Sequence, residues 1–387
     1  MKKKLILGVS ALALLASPLI GVYLHAQESG DTSSLSPVMR KNFISLIELE
    51  KLAADSKQFD DPKNYKKIAA ALATLEQSTK HITKILSQQQ KSGLVSIAEI
   101  YDDYVGDMAK RFKDGHKGYV RHKVGTVSQL CLSCHTGVAT SKQFQDETKS
   151  VEAISLTPYQ RVHYYAATRQ FDLALASMDQ IFNQKELGLG ELREFTQAVK
   201  TALSVVVRVK QSPATGLEVI AKALKKPGVP EFITRDFKQW QKDLKAWKKE
   251  KPPSKPTIKD LIASARQLIE SAQKIQEYPT DHSTDVRYLR ASNALQQALQ
   301  LIPNPKQQAE AFYLLGRAYA SLRDNLLWNL DQYYYEACIK RLPHSSMAQK
   351  CYKTLSSEIF FGYTGSAGTL IPAEEIQRLD RLQKMVN

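Results

Sequence analysis

The segment Val127-Ser128-Gln129-Leu130-Cys131-Leu132-Ser133-Cys134-His135-Thr136-Gly137-Val138 sets the frame for this 387-residue chain: it reads as one short helix that carries two cysteines and a histidine. Working toward the N-terminus, three amphipathic helices precede it. From Val38 to Ala54 the apolar residues Phe43, Ile44, Ile47 and Leu52 fall at helical spacing, and Pro37 is placed to open that helix. Asp60-Asp61-Pro62 interrupts the pattern, after which a second helix runs to about Lys91 with Ile68, Leu72, Leu75, Ile82 and Ile85 on one stripe. Ser92-Gly93 ends it, and a third helix spans about Val95 to Lys113. The glycine-punctuated basic stretch from Gly115 to Gly125 then separates the third helix from the fourth. Four amphipathic helices of this size make a natural bundle, which places an N-terminal domain at residues 31–150. Helix formers dominate the rest of the chain and strand-type alternation is scarce, so the fold class is all-α.

The spacing Cys131-Leu132-Ser133-Cys134-His135 has a chemical reason. Two thiols three residues apart lie close together on one helical turn, where they can add to the two vinyl groups of a haem, and the adjacent imidazole can turn onto the iron. Other uses of the pair fit less well. A thioredoxin-like redox pair belongs at a strand-to-helix junction, a zinc site needs a further ligand and better-spread donors, and a disulfide across two intervening residues is strained. The expected cofactor is therefore a single covalently attached haem c on Cys131 and Cys134, with His135 as axial iron ligand.

The order of parts in residues 31–150 resembles the cytochrome c prime family, four-helix bundles in which the attachment motif sits on the last helix. In that family an arginine early in the first helix lies near the haem, and the residue one turn later faces the distal side of the iron. The resemblance implies those roles for Arg40 and Ile44, hence an apolar distal face and a five-coordinate iron. Low-spin relatives place a methionine on the first helix as sixth ligand, which implies Met39 as the alternative. Met108, His81, His116 and His122 are further candidates, read as core filler in the case of Met108 and as solvated residues on basic surfaces for the histidines. After the motif, Thr136-Gly137-Val138 departs from the basic or aromatic continuation usual in the family.

Beyond the motif, Tyr165, Phe171, Ala174 and Met178 are similar to the tetratricopeptide pattern of a helical hairpin. A second match comes from Ala291, Leu295, Ala298 and Pro303. A third comes from Phe312, Leu315, Gly316, Tyr319, Tyr335 and Pro343, with extra residues around Asn325 to Asn329. These place a repeat-like region at 151–250 and a tetratricopeptide-like helical repeat domain at 258–387, joined by the Pro- and Lys-containing linker 251–257. The connector from Lys225 to Lys259 holds eleven Lys or Arg against four Asp or Glu. It reads as a solvated helix face followed by a linker, with an electrostatic dock for an acidic partner as the functional alternative. Trp240 and Trp247 share one face of that helix as packing residues. Cys338 and Cys351 sit nearly symmetrically about the Leu342 to Ser346 turn on successive helices, where they form either a disulfide or two buried free thiols. The glycine-rich turn Gly362 to Gly368 lacks the lysine and offsets of a phosphate loop.

At the N-terminus, Lys2, Lys3 and Lys4 precede an uncharged run from Leu5 to Leu24, and Ala26 stands where a cleaved leader would end. Residues 1–26 are thus a signal peptide or an uncleaved membrane anchor. Either places the bulk of the chain in the periplasm, soluble or held at the cytoplasmic membrane. The formal charge of +15 favours acidic partners or anionic surfaces. Nucleic acid is not expected, since no binding motif is present. The leading functional class is a haem electron carrier that meets a redox partner protein, of acidic character, and binds protein through its helical repeats. The alternatives are a small-gas binding or sensing module with an open distal site, and a structural scaffold with an ancillary haem. No Ser-His-Asp or paired-carboxylate pattern marks an enzyme.

Overall fold

A computed structural model describes residues 35–387 except 54, 89–91, 138–155, 186, 189, 252, 279–280, 302, 324–329 and 367. The expected leader or anchor and the expected extra residues around 325–329 therefore lie outside the described residues. The described chain is all-α, relieved only by a short antiparallel ribbon that pairs Thr364 with Thr369 and Gly365 with Gly368. No described helix is long and apolar enough to cross a membrane.

The N-terminal part consists of α1 (Leu35–Ala53), the short α2 (Ser56–Asp60), α3 (Tyr65–Gln88), α4 (Ser92–Lys113) and α5 (Lys117–Gly137). Asp55 caps α2 by accepting from the Lys57 N–H, and Asp61 caps the following 3-10 turn, where Pro62 sits at a position whose N–H is not needed. Helix α4 stops at Gly115, whose φ of +87° lets the His116 N–H reach the Arg111 carbonyl (2.9 Å) and the Gly115 N–H reach that of Phe112 (3.1 Å). Helices α1, α3, α4 and α5 close a ring in which each packs on the next and α5 returns to α1.

The basic stretch expected as a loop up to Gly125 is helical from Lys117 onward. Val120, Val124, Val127 and Leu130 form a buried stripe along it. Burying that stripe outweighs the roughly 1 kcal/mol that each of Gly118 and Gly125 costs a helix relative to alanine.

Ten helices follow among the described residues: α6 (Pro158–Ala167), α7 (Phe171–Asn183), α8 (Leu192–Ser204), α9 (Pro213–Leu224), α10 (Glu231–Trp247), α11 (Ile258–Gln273), α12 (Asp285–Gln300), α13 (Pro305–Ser321), α14 (Leu330–Arg341) and α15 (Ser346–Gly362). After the ribbon comes α16 (Ala373–Lys384). A cap followed by proline recurs as their start signal: Thr157-Pro158, Ser212-Pro213 and Asn304-Pro305, with reciprocal capping boxes at Thr157/Gln160 and Asn304/Gln307. Between α8 and α9 lies a π-helical turn, Val205–Lys210. From α11 to α15 each helix packs on the next, and α11 with α13 and α13 with α15 also touch, the pattern of stacked hairpins. A Cβ on Gly316 would collide with the Tyr335 ring, so a side chain at this position would force α13 and α14 apart. Cys338 and Cys351 are joined by a disulfide that ties α14 to α15, with Cα atoms 6.4 Å apart.

Residues 35–387 cluster as one compact unit. Its largest buried cluster runs from Leu46 in α1 to Val386 after α16, because α4 packs on α12 and α14 while α5 packs on α12. A second cluster, around Phe195, Phe237 and Trp240, fills the middle region. There the Trp240 indole N–H donates to the His282 carbonyl (2.7 Å), and the Arg290 guanidinium lies 4.8 Å from the Trp247 ring centroid.

Candidate haem attachment site

Cys131, Cys134 and His135 lie in the last two turns of α5, between the ring of α1, α3 and α4 on one side and α6 with the π turn on the other. Both thiols are free and half-buried. Cys134 packs against an apolar cluster at one end of the ring, built from Ile82 and Leu86 of α3, Leu94 and Ala98 of α4, and Leu35, Val38 and Met39 of α1.

Burial pushes the Cys131 thiol up to about 12, with Cys134 and Glu50 adding to the shift. Burial likewise raises Cys134 to about 11, opposed by the guanidiniums of Arg169 and Arg208. Both are therefore thiols at neutral pH, the reverse of the lowered values that mark redox-active cysteine pairs.

His135 is held from outside the ring. Its Nδ1 faces the carbonyl oxygen of Ala167 at 2.5 Å. A carbonyl only accepts, so Nδ1 carries the proton and Nε2 carries the lone pair of the neutral ring. Burial lowers the imidazole to about 4, which keeps it neutral at physiological pH. A backbone carbonyl on Nδ1–H is the usual arrangement that fixes ring orientation and raises the basicity of a ligating imidazole.

Ala167 ends α6 at a tight turn in which the Thr168 N–H reaches Tyr164 and the Gln170 N–H reaches Tyr165, while Arg169 takes a φ of +64°. The Gln170 side chain donates to the Thr168 hydroxyl at 2.9 Å, and both residues are buried. Arg208, only 4% exposed on the π turn, donates to the Tyr319 hydroxyl at 2.9 Å.

The structure gathers some of the expected residues and not others. Met39 is half-buried and shares the apolar cluster with Cys134. Arg40 is exposed, and Ile44 is 55% exposed. Met108 and Met178 are core residues of two different clusters. His116 and His122 are exposed and His81 is half-buried. Residues that the motif gives no hint of complete the surroundings. The Asn42 amide donates to the Tyr101 hydroxyl (2.8 Å) in the buried interior, and Glu50 acts electrostatically on both Tyr101 and Cys131. Two free thiols one turn apart, a neutral imidazole fixed through Nδ1 and an adjoining apolar cluster together fit a covalently held haem.

Burial raises the Glu50 carboxyl from 4.5 to about 7. Its protonated form therefore favours the fold. That contribution is complete below about pH 4.5 and is lost as pH rises through about 7, a swing on the order of 2 kcal/mol. Glu50→Gln is expected to flatten the dependence, leaving the variant more stable than the parent by about that amount at about pH 8. Urea midpoints measured on both proteins at about pH 5 and about pH 8 check it, and parallel pH profiles would count against the assignment.

No family model, no curated protein and no solved structure matches the chain.

Proposed function

We propose that this protein is an exported c-type cytochrome. One haem is bonded covalently to Cys131 and Cys134, with His135 on the iron. The ring of α1, α3, α4 and α5 forms a bundle of the cytochrome c prime kind, and the stacked helices α11–α15 form a tetratricopeptide-like region that binds a protein partner. When bound, the haem supplies an iron that cycles between ferric and ferrous states, and the chain's own groups hold and tune it.

The observation that carries this reading is the pairing of two free thiols with a histidine whose Nδ1 is committed to the Ala167 carbonyl. Electron transfer is the favoured role because Met39 lies in the same apolar cluster as Cys134, within the part of the bundle from which a sixth ligand would come. The lysines before Leu5 and the apolar run to Leu24 support work in the periplasm, either free or tethered by that segment.

Absorption spectra of the matured protein, oxidised, reduced and then exposed to carbon monoxide, test the reading. Sharp low-spin bands indifferent to the gas are expected for an electron carrier, and their loss in Met39→Ala would identify the sixth ligand. Broad high-spin bands that shift with carbon monoxide would replace electron transfer by gas binding, and a protein without a haem spectrum would end the proposal.

A further inference from the structure

Helix α10 sorts its charges onto two faces. Asp236 and Asp243, seven residues apart, lie on its inner side, and exposed Glu250 follows three residues past its end. Buried Asp243 accepts from Arg287 Nη2 (2.7 Å), Arg287 Nε (2.9 Å) and Gln239 (3.0 Å), and Glu250 accepts from Arg290 (3.0 Å). Half-buried Asp236 feels Asp285, Asp281 and His282 electrostatically, and its Oδ1 lies 4.0 Å from Arg235 Nε. Asp243 is thus spent inside the fold and Glu250 is paired with Arg290 at the surface, while Glu231 is exposed in the first turn, before the cationic row begins.

The outer face carries Arg235, Lys238, Lys242 and Lys245 at alternating three- and four-residue steps, and Lys249 follows in the turn past the helix end, all of them exposed. Among the described residues no carboxylate pairs with Lys238, Lys242, Lys245 or Lys249, and Lys245 reaches only the Gln241 side chain (3.2 Å). From Arg235 to Lys245 the row spans about 15 Å at the helical rise. Exposed Lys248, Lys251, Lys255 and Lys259 continue the positive surface beyond it.

Like charges at these steps repel and weaken a helix. The packing of Ile233, Phe237, Trp240 and Leu244 on the opposite side does not require them. A merely solvated face would mix both signs, whereas the outer face from Arg235 to Lys245 carries only cations among its charged side chains.

We infer that this face of α10 is a docking surface for a protein partner that presents a row of carboxylates. A lipid surface fits less well, because between Arg235 and Lys249 the outer face offers no apolar side chain larger than Ala246 for insertion. Phe232, 64% exposed one turn before the row, supplies an aromatic contact of the kind protein interfaces use as an anchor. The inference uses no residue of the haem site, so either reading can fail without the other.

The test is binding of the full chain to poly-L-glutamate at low ionic strength, compared between Lys238→Gln/Lys242→Gln/Lys245→Gln and a control, Lys57→Gln/Lys63→Gln/Lys66→Gln, drawn from exposed lysines of the N-terminal part. The α10 variant is expected to bind on the order of tenfold more weakly, with a shallower salt dependence, and the control to bind like the parent. All six side chains are exposed, and circular dichroism verifies that both variants fold. Equal weakening in the two variants would overturn the docking surface in favour of undirected charge. Tighter binding to phosphatidylglycerol vesicles than to poly-L-glutamate, lost in the α10 variant, would overturn the protein partner in favour of a membrane.

Discussion

A chain carrying Cys131→Ala and Cys134→Ala, exported in a host that attaches haem to such motifs, is expected to lack the proposed covalent haem completely. The parent should retain haem through a denaturing gel, visible by its peroxidase stain, and the double variant should show none. Each single variant keeps one thiol and is expected to give reduced attachment with a shifted pyridine haemochrome band. The helical fold should survive, because both side chains are only partly buried and make edge contacts with the core. Retention of haem by the double variant on a denaturing gel would sink the attachment site.

The same construction predicts how His135 responds to its neighbour. The carbonyl that holds Nδ1 comes from the last residue of α6, in a turn locked by Thr168 and Gln170. The orientation of the proposed iron ligand is therefore set by a helix outside the bundle that carries the motif.

The second large effect concerns stability. Asp243→Ala is expected to destabilise the protein by about 3 kcal/mol, since it leaves the Arg287 guanidinium without its carboxylate in a site where Asp243 is only 4% exposed. Arg287 also donates to the Ser271 carbonyl (3.0 Å), so this one side chain joins α10, α11 and α12. Glu76→Ala, which breaks the exposed pair with Lys80, should by contrast leave the midpoint nearly unchanged. Urea midpoints of the two variants separate the cases, and a similar small loss in both would show that the Asp243 pair carries no structural weight.

Much of the helical order was legible because amphipathic stripes and cap-proline pairs are local signals. The stripe Ile68, Leu72, Leu75, Ile82 and Ile85 is buried as its spacing indicates. The early start of α5 was not legible, because Gly118 and Gly125 argue for a loop and only the neighbouring helices make burial of Val120 and Val124 worth more. Within the candidate site the three motif residues announce themselves by type and spacing. Ala167 could not, since it contributes a backbone carbonyl that leaves no mark in residue identity. Arg169, Arg208 and Glu50 reach the motif only through tertiary packing from distant parts of the chain. The two charged rows of α10 were present in the sequence as seven-residue spacings, but which row faces inward depends on Arg287 and Arg290 of α12.

The core shared between the first and last helices governs how the chain can be cut and how fast it can form. A fragment ending near residue 150 would carry α4 and α5 away from the α12 and α14 surfaces that cover them, exposing apolar area to water and to other copies. Those same contacts close loops of well over a hundred residues, so they carry a larger loop-closure cost than the contacts between neighbouring helices. Dissection is therefore better done by point substitution within the intact chain than by truncation at the proline linker.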